Sequence, residues 1–367
     1  MTQWLPDEFK CPISLEIMTD PVILSSGHTF DRVSIQRWLD SGNRSCPITK
    51  QPLSKNFSLI PNHVLRSLIS QFTLGSNVKP QLNHPEPQTL ISVISSESLS
   101  PSLKIDSLSQ LNRLCKRNPV LRQSFMESGA GPSVLNCIDS VDLGLRESAL
   151  MLLLSLSLDD DNKVGLVTEG AIGHIVEALR GGSSSCRSYA ATILTSLAMV
   201  EVNKATIGAY PLAIQRLSSL LRDGKAREKK EAATALYALC SFPDNRKRAV
   251  RCGAVPILIE MAVSGVERAI EVLGLLAKCR EGREEMGRFD GCVVSVLVQV
   301  LRNESSRSVV HALSALHSLC NNSEEMGLSV VRQGGLELCL GFVEDENEKV
   351  SRNASNLVQV LRKYWVN

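Results

Sequence analysis

The sequence predicts a mainly α chain in two parts, a small α+β module followed by an all-α solenoid of repeated helical units. Three observations predict it. The pattern changes across residues 75–87, where Pro80, Pro85 and Pro87 interrupt helix and strand alike. Beyond that point a Gly followed by a small or apolar residue recurs ahead of apolar runs at intervals of about 40 residues, the mark of a repeat array. Only 4% of residues are aromatic while 43% are hydrophobic, so the core is built from Leu, Val, Ala and Ile, which suits small helices packed in layers. At 367 residues the chain exceeds a single typical domain. The expected division is a module over residues 5–78, a linker over 79–87 and a solenoid over 88–365.

The module is organised around two Cys-Pro motifs, Cys11-Pro12-Ile13-Ser14-Leu15 and Cys46-Pro47-Ile48-Thr49-Lys50. Paired loops of this kind invite comparison with a zinc-binding RING finger, which needs eight Cys or His ligands in short paired spacings for two tetrahedral ions. Before Gly75 the only candidates are Cys11, His28, Cys46 and His63, with no two within five residues of each other. No structural metal is therefore expected. Cys11 and Cys46 read as small buried side chains, and His28 and His63 as loop and surface residues.

Without metal, so small a segment has to close its loops by other means. Asp20, Ser26, Thr29, Asp31, Arg32, Thr49 and Asn62 are the polar residues placed to do so. In chain order, the sequence predicts a loop from Pro12 to Asp20, a short hairpin of Val22-Ile23-Leu24 with Thr29-Phe30, and a helix from Arg32 to Leu39. That helix starts after Asp31, a good N-cap, and stops at Ser41-Gly42. A second loop runs from Ser45 to Pro52, and Pro61 is expected to open a final helix through Phe72.

Residues 5–74 resemble a U-box, the metal-free relative of the RING, and the whole chain resembles the plant U-box proteins with armadillo repeats. The segments CPISLEIMTDPV, SGHTFDR, IQRWL, CPITKQPL and LIPNHVLRSLI occur in order and at the family's spacing. The resemblance implies a ubiquitin ligase of the non-covalent kind. Such a protein binds a ubiquitin-conjugating enzyme charged with ubiquitin and directs transfer to a lysine of a protein substrate held on the repeats. It also implies that Ile13, Leu15, Trp38 and Pro47 form the hydrophobic groove for the conjugating enzyme, and an apolar groove with an aromatic anchor is what interface physics asks for. Lys50 falls where the family often carries an activating Arg; a Lys keeps the charge and loses the planar fork. The competing expectation is a non-enzymatic armadillo scaffold with a structural U-box.

Other function classes find little support. Cys115, Cys137, Cys240, Cys279, Cys292, Cys320 and Cys339 fall in Leu- and Val-rich helical patterns, where thiols are expected to be buried and inert. No Cys, His and acid constellation, Gly-rich phosphate loop, GxSxG or HExxH stands out, so no catalytic nucleophile and no cofactor are expected. A net charge of +2 does not suggest nucleic acid as a partner. Ala149 to Leu158, the most apolar stretch, is too short to span a bilayer, so no integral membrane association is expected. The opening Met1-Thr2-Gln3-Trp4 is polar and Thr2 stands where myristoylation needs Gly, so the expected setting is cytoplasmic or nuclear.

The repeat marks are Gly129-Ala130, Gly170-Ala171, Gly253-Ala254, Gly291-Cys292 and Gly334-Gly335, with Leu212-Ala213 taking the Gly-Ala place in the fourth unit. A period near 40 with three helical segments per unit is the armadillo signature. One period before Gly129, a degenerate first unit begins near Gln88-Thr89-Leu90, giving about seven units, the last ending near Tyr364. In the second unit, helices are predicted over Pro132–Ile138, Leu145–Leu158 and Lys163–Thr168, the last capped by Asp161 or Asn162. Asn203-Lys204 and Asn245-Arg246 match that cap in later units.

Armadillo arrays that grip extended peptides present a ladder of Asn on their third helices. Aligned on Ala-x-x-Leu, this chain has Arg113, Ser155, Ser196, Ala238, Leu275, Ser318 and Val360 there, so the ladder is missing. The densest charge cluster, Arg222 to Glu231, reads as a solvated loop whose natural partner, were it functional, is an acidic patch.

Overall fold

The computed structural model describes residues 9–53, 59–62, 65–66, 69, 87–303 and 306–365. By its internal contacts the chain divides into residues 1–83 and 84–367.

In the first unit, β1 (Pro21–Ile23) pairs antiparallel with β2 (Thr29–Asp31), Val22 opposite Phe30. Gly27 makes the connecting turn at φ +78°, a conformation that costs a residue without Cβ little. Helix α1 (Arg32–Asp40) follows directly, and its N-cap Asp31 accepts a hydrogen bond from the Val33 amide, as its position predicts. The second half departs from expectation. Pro61 does not open a helix but lies with Ile60 in β3, which pairs with β1 on the side away from β2. Asn62 starts the helical turn instead, its Oδ1 accepting from the Leu65 amide. Proline has no N–H to give a ladder and sits well on such an edge strand. Residues 63, 64, 67, 68 and 70–72 of the expected helix, His63 among them, lie outside the described residues. Around Val22, Phe30, Ile35 and Leu39 the core also holds Phe9, Cys11, Met18, Leu24, Cys46 and Ile69.

The second unit is a stack of three-helix repeats, as the periodicity predicts. Pro87, expected as the last linker residue, opens the first helix (Pro87–Ser95). The second repeat shows the plan: Gly131–Ile138, the long Leu143–Leu156 and the short Asp160–Thr168. Successive long helices pack side by side, from Pro101–Arg117 through Glu348–Trp365, and the short helices form a second row. Ala149, Ala190, Ala232, Ala269, Ala312 and Ala354, one on each long helix from the second unit on, are completely buried. The result is one continuous core from Leu90 to Leu361, as expected of repeats that cannot bury an apolar stripe alone.

The repeat glycines have a conformational reason. Gly129, Gly170, Gly253 and Gly334 all sit at positive φ ahead of the next helix. Leu212, assigned to that place from spacing alone, adopts it too, at φ +64°. Gly291 does not: it lies inside Asp290–Arg302, whose preceding residue Phe289 has φ −122°. The unit before it is short, its long helix spanning only Glu267–Leu276, and the left-handed junction is lost there. Cys292 is consequently exposed rather than buried. The other thiols named with it are buried; burial pushes Cys115 up to about 11 and Cys240, Cys320 and Cys339 up to about 12, well away from nucleophilic thiolates.

The Asn residues read as caps act otherwise. Asp159, not Asp161 or Asn162, caps Asp160–Thr168, accepting from the amides of Asp161 and Asn162. Asn162, Asn203 and Asn245 are buried, and each amide donates twice. One bond goes to its own unit, at Leu156, Leu197 and Leu239. The other goes to a short helix of the unit before, at Arg122, Lys163 and Lys204. A residue placed three positions after the cap, where it faces the preceding repeat, thus staples consecutive units. The charge cluster is also not a solvated loop. It opens the helix Ala226–Cys240, and Glu228 within it is fully buried, accepting from the Lys225 amide and from Arg187 Nε of the preceding unit at 2.7 Å.

Candidate partner-docking site

The two Cys-Pro loops fold alike. In the first, the Cys11 amide donates to Glu16 and the Leu15 amide to Cys11; in the second, Cys46 donates to Gln51 and Lys50 to Cys46. An antiparallel bridge closes each base, Lys10 with Ile17 and Ser45 with Pro52. Leu15 and Lys50 occupy matching places, and both take φ +60°, a left-handed conformation that side chains with a Cβ adopt at a cost of about 1–2 kcal/mol. So tight a loop throws the side chain outward, and Leu15 is 74% exposed.

Sulfur acceptors and a carboxylate hold this geometry in place of ions. Cys11 Sγ accepts from the Asp31 amide at 3.3 Å, and Cys46 Sγ from the Ser26 hydroxyl at 3.2 Å. Both thiols are buried, which works against the thiolate. The hydrogen bonds to sulfur outweigh it, from Ser14, Asp31 and Ile13 at Cys11 and from Ser26, Thr49 and Ile48 at Cys46, so Cys46 is drawn down to about 7. They are packing residues, as expected, and acceptors as well.

Asp31 is the hub. One carboxylate oxygen caps α1 and the other accepts from the Thr19 amide and hydroxyl and from the Asp20 amide. Desolvation opposes its charge, yet these donors hold the carboxyl below the usual aspartate range. Asp20 in turn pairs with Arg32 at 2.7 Å and with Arg66, and Asn62 Nδ2 donates to Thr29 Oγ1. All seven expected network residues take part; Thr19 and Arg66 join them.

Trp38 on α1 links helix to second loop. Its indole N–H donates to the Ser45 carbonyl at 2.9 Å, and the Lys50 ammonium lies 5.7 Å from its ring centroid. Trp38 and Ile13 are half-buried and pack against the same core, while Pro47 is half-buried at the head of the second loop. Of the residues read from sequence, Trp38 and Lys50 are brought into direct contact, and Leu15 stands out alone. Ile48 was missed: it holds in the second loop the place of Ile13 in the first and is 45% exposed. The repeated Cys-Pro-Ile was the signal. The two loops and α1 thus carry the apolar side chains Ile13, Leu15, Trp38, Pro47 and Ile48, with the Lys50 ammonium beside Trp38.

On the repeats, the positions of the missing Asn ladder are largely engaged within the chain. Ser155 Oγ donates to Asn112 Oδ1 at 2.5 Å and Ser196 Oγ to the Ser157 carbonyl at 2.7 Å, while Leu275 and Val360 are buried. No helix of the described residues is long and apolar enough to cross a membrane.

Both parts of the chain match known protein families. A family model described as U-box domain matches residues 5–77, and one described as plant U-box protein ARM repeat region matches residues 88–367. U-box domain-containing protein 8 of Arabidopsis thaliana is 58% identical over 364 residues, covering 97% of each chain. The E3 ubiquitin-protein ligase PUB23 of the same plant is 29% identical over 98% of this chain and 93% of its own. Among solved structures, an engineered protein superposes with a TM-score of 0.67 at 20% identity, over 76% of this chain and 68% of its own, a likeness of fold.

Proposed function

Because the chain belongs to the plant U-box family with an armadillo-repeat region, we propose that it is a ubiquitin ligase acting without a covalent intermediate of its own. The U-box docks a ubiquitin-conjugating enzyme carrying ubiquitin as a thioester, and the repeats hold the protein that receives it. Leu15, Ile13, Trp38 and Pro47 form the docking groove, to which we add Ile48. Lys50 stands at the rim as the cation that bridges conjugating enzyme and ubiquitin and restrains the thioester.

The observation that carries this reading is the two-loop face itself. A loop that holds Leu15 at positive φ and 74% exposed keeps a large apolar side chain in water, at a cost that a partner's apolar surface relieves. Chemistry is left to the conjugating enzyme's own thiol: Cys11 and Cys46 of the U-box are buried, and the exposed Cys292 lies in the repeats, in a different unit of the chain from the docking loops.

The test is autoubiquitination by the purified full chain with ubiquitin-activating enzyme, ATP and a panel of conjugating enzymes. Chains should form with at least one member and fail with Trp38→Ala. Absence of product with every member favours the alternative, a scaffold with a structural U-box, for which the engagement of Lys50 with Trp38 inside the chain is the one supporting contact.

A further inference from the structure

The long helices of the fourth to seventh units, Ala226–Cys240, Glu267–Leu276, Ser306–Cys320 and Glu348–Trp365, pack on one another in succession. In three of them the second residue, five before the buried Ala, is a cation: Arg227, Arg307 and Lys349. In the shortened fifth unit that place falls on Ser264, and the helix carries its cation, Arg268, one turn further along beside Ala269. The corresponding residues of the second and third units are Gly144 and Ser185, so the row begins only at the fourth. A cation in the first turn of a helix opposes the helix dipole. Arg268 is offset by Glu271 of its own helix and Arg227 rests on the Tyr189 ring, whereas Arg307 and Lys349 have no such partner among the described residues of their helices. Lys230 and Arg352 extend the row by one turn.

A groove of about 770 Å³ opens across the fourth to sixth units, lined by Arg222, Lys229, Lys230, Arg268 and Arg307 beside the apolar Ile257 and Met261. Its carboxylates are Glu260, Glu267 and Glu271, and Glu271 is already paired with Arg268. Lys230, Arg307 and Lys349 have no carboxylate partner among the described residues.

We propose that this groove binds an acidic segment of a partner protein in extended conformation. The proposal rests on the reading that the repeats hold the target, and names the target's chemistry. Packed helix axes lie about 8–10 Å apart, and an extended chain rises about 3.3 Å per residue, so an acid at every third residue meets successive units. The interleaved carboxylates disfavour a continuous polyphosphate, and the aromatic faces available for base stacking, Tyr189 and Tyr237, are covered by Arg227 and Arg268 at 5.6 and 4.9 Å. The apolar lining gives the segment's remaining residues a surface to pack on.

The experiment is fluorescence anisotropy on the full chain with a labelled peptide of about a dozen residues carrying Glu at every third position. Its controls are the same peptide with Gln for Glu and a single-stranded thymidine oligonucleotide. The Glu peptide should bind, with affinity falling as salt rises, and the joint charge reversals Lys230→Glu and Arg307→Glu should weaken it about tenfold or more. Both side chains are exposed, so circular dichroism and melting should not move. Equal binding of the Gln peptide, indifference to the reversals, or tighter binding of the oligonucleotide would overturn the proposal. Autoubiquitination of the parent chain is read separately, so failure of the ligase reading and failure of the groove are distinct results.

Discussion

The ammonium of Lys50 stands 5.7 Å from the ring centroid of Trp38, while the N–H of that indole donates to Ser45 at the base of the loop that carries Lys50. One aromatic side chain therefore fixes both the loop and its exposed cation. The contact is worth about 0.5–1 kcal/mol at an exposed site, small enough for a docking partner to displace.

Lys50→Arg is accordingly expected to raise the rate at which the charged conjugating enzyme discharges ubiquitin. The planar fork adds about one fixed hydrogen bond, and about 1 kcal/mol is roughly a fivefold gain. Single-turnover discharge to free lysine measures it. An unchanged rate would assign Lys50 to the surface and not to the reaction.

Trp38→Ala should abolish chain formation while leaving the far-ultraviolet circular dichroism, dominated by the repeats, essentially intact; Ile13→Ala should act in the same direction. Trp38→Phe separates the causes. It keeps most of the apolar ring and loses only the bond to Ser45, at about 1 kcal/mol, so ubiquitination that survives in Phe and fails in Ala marks the groove. Full activity in both Ala variants would remove these residues from the docking face.

Asn203 donates to Lys163 and Leu197 across a buried junction. Asn203→Ala removes two buried hydrogen bonds whose acceptors each keep another donor, Leu197 from the Val200 amide and Lys163 within its own helix. At about 0.5–1.5 kcal/mol per bond, a loss of about 1–3 kcal/mol is expected in urea denaturation. Asn203→Asp should be no better, since a carboxylate has no proton to give. A loss under about 0.5 kcal/mol, the range of ordinary surface substitutions, would show that water replaces the amide.

These cases show where the sequence was readable. The repeat register followed from Gly and Ala spacing because both mark backbone constraints, positive φ and close helix approach, that recur with the unit. Leu212 was found for that reason although it is not Gly, and Gly291 misled because the shortened unit before it removes the constraint. The staple role of Asn162, Asn203 and Asn245 was hidden: an Asn near a helix start looks like a cap, and its true acceptor lies in the preceding repeat. In the U-box, motif order located the loops, but their left-handed Leu15 and Lys50 carry no local signal. Pro61 obeyed the edge-strand preference of proline and not its helix-start preference, a choice only the pairing with β1 decides.

Leu212→Gly should stabilise the chain. Left-handed backbone costs a Leu about 1–2 kcal/mol, whereas Gly adds about 0.5–1 kcal/mol of chain entropy to be lost on folding. Leu212 is 50% exposed and gives up little packing, so a net gain of about 0.5–1 kcal/mol in the urea midpoint is expected. Destabilisation would mean that its side chain contributes more than its backbone costs.

His311 makes the repeats sensitive to acid. Burial, with Lys278, Arg268 and Lys349 nearby, lowers its pKa from 6.5 to about 4, and its neutral ring meets Tyr237 edge-on at 5.7 Å. Because the folded value lies below the unfolded one, its contribution is fully present above about pH 6.5 and is lost as pH falls towards 4. At about 1.36 kcal/mol per unit the shift corresponds to roughly 3–4 kcal/mol, reduced by solvent screening of the partly exposed ring to roughly 2–3 kcal/mol. His311→Gln should remove that part of the slope between pH 6.5 and 4 while the carboxylates, which titrate in both proteins, supply the common remainder. Melting temperatures of the two proteins across this window decide it: curves that stay parallel would show that protonated His311 finds solvent without unfolding the array.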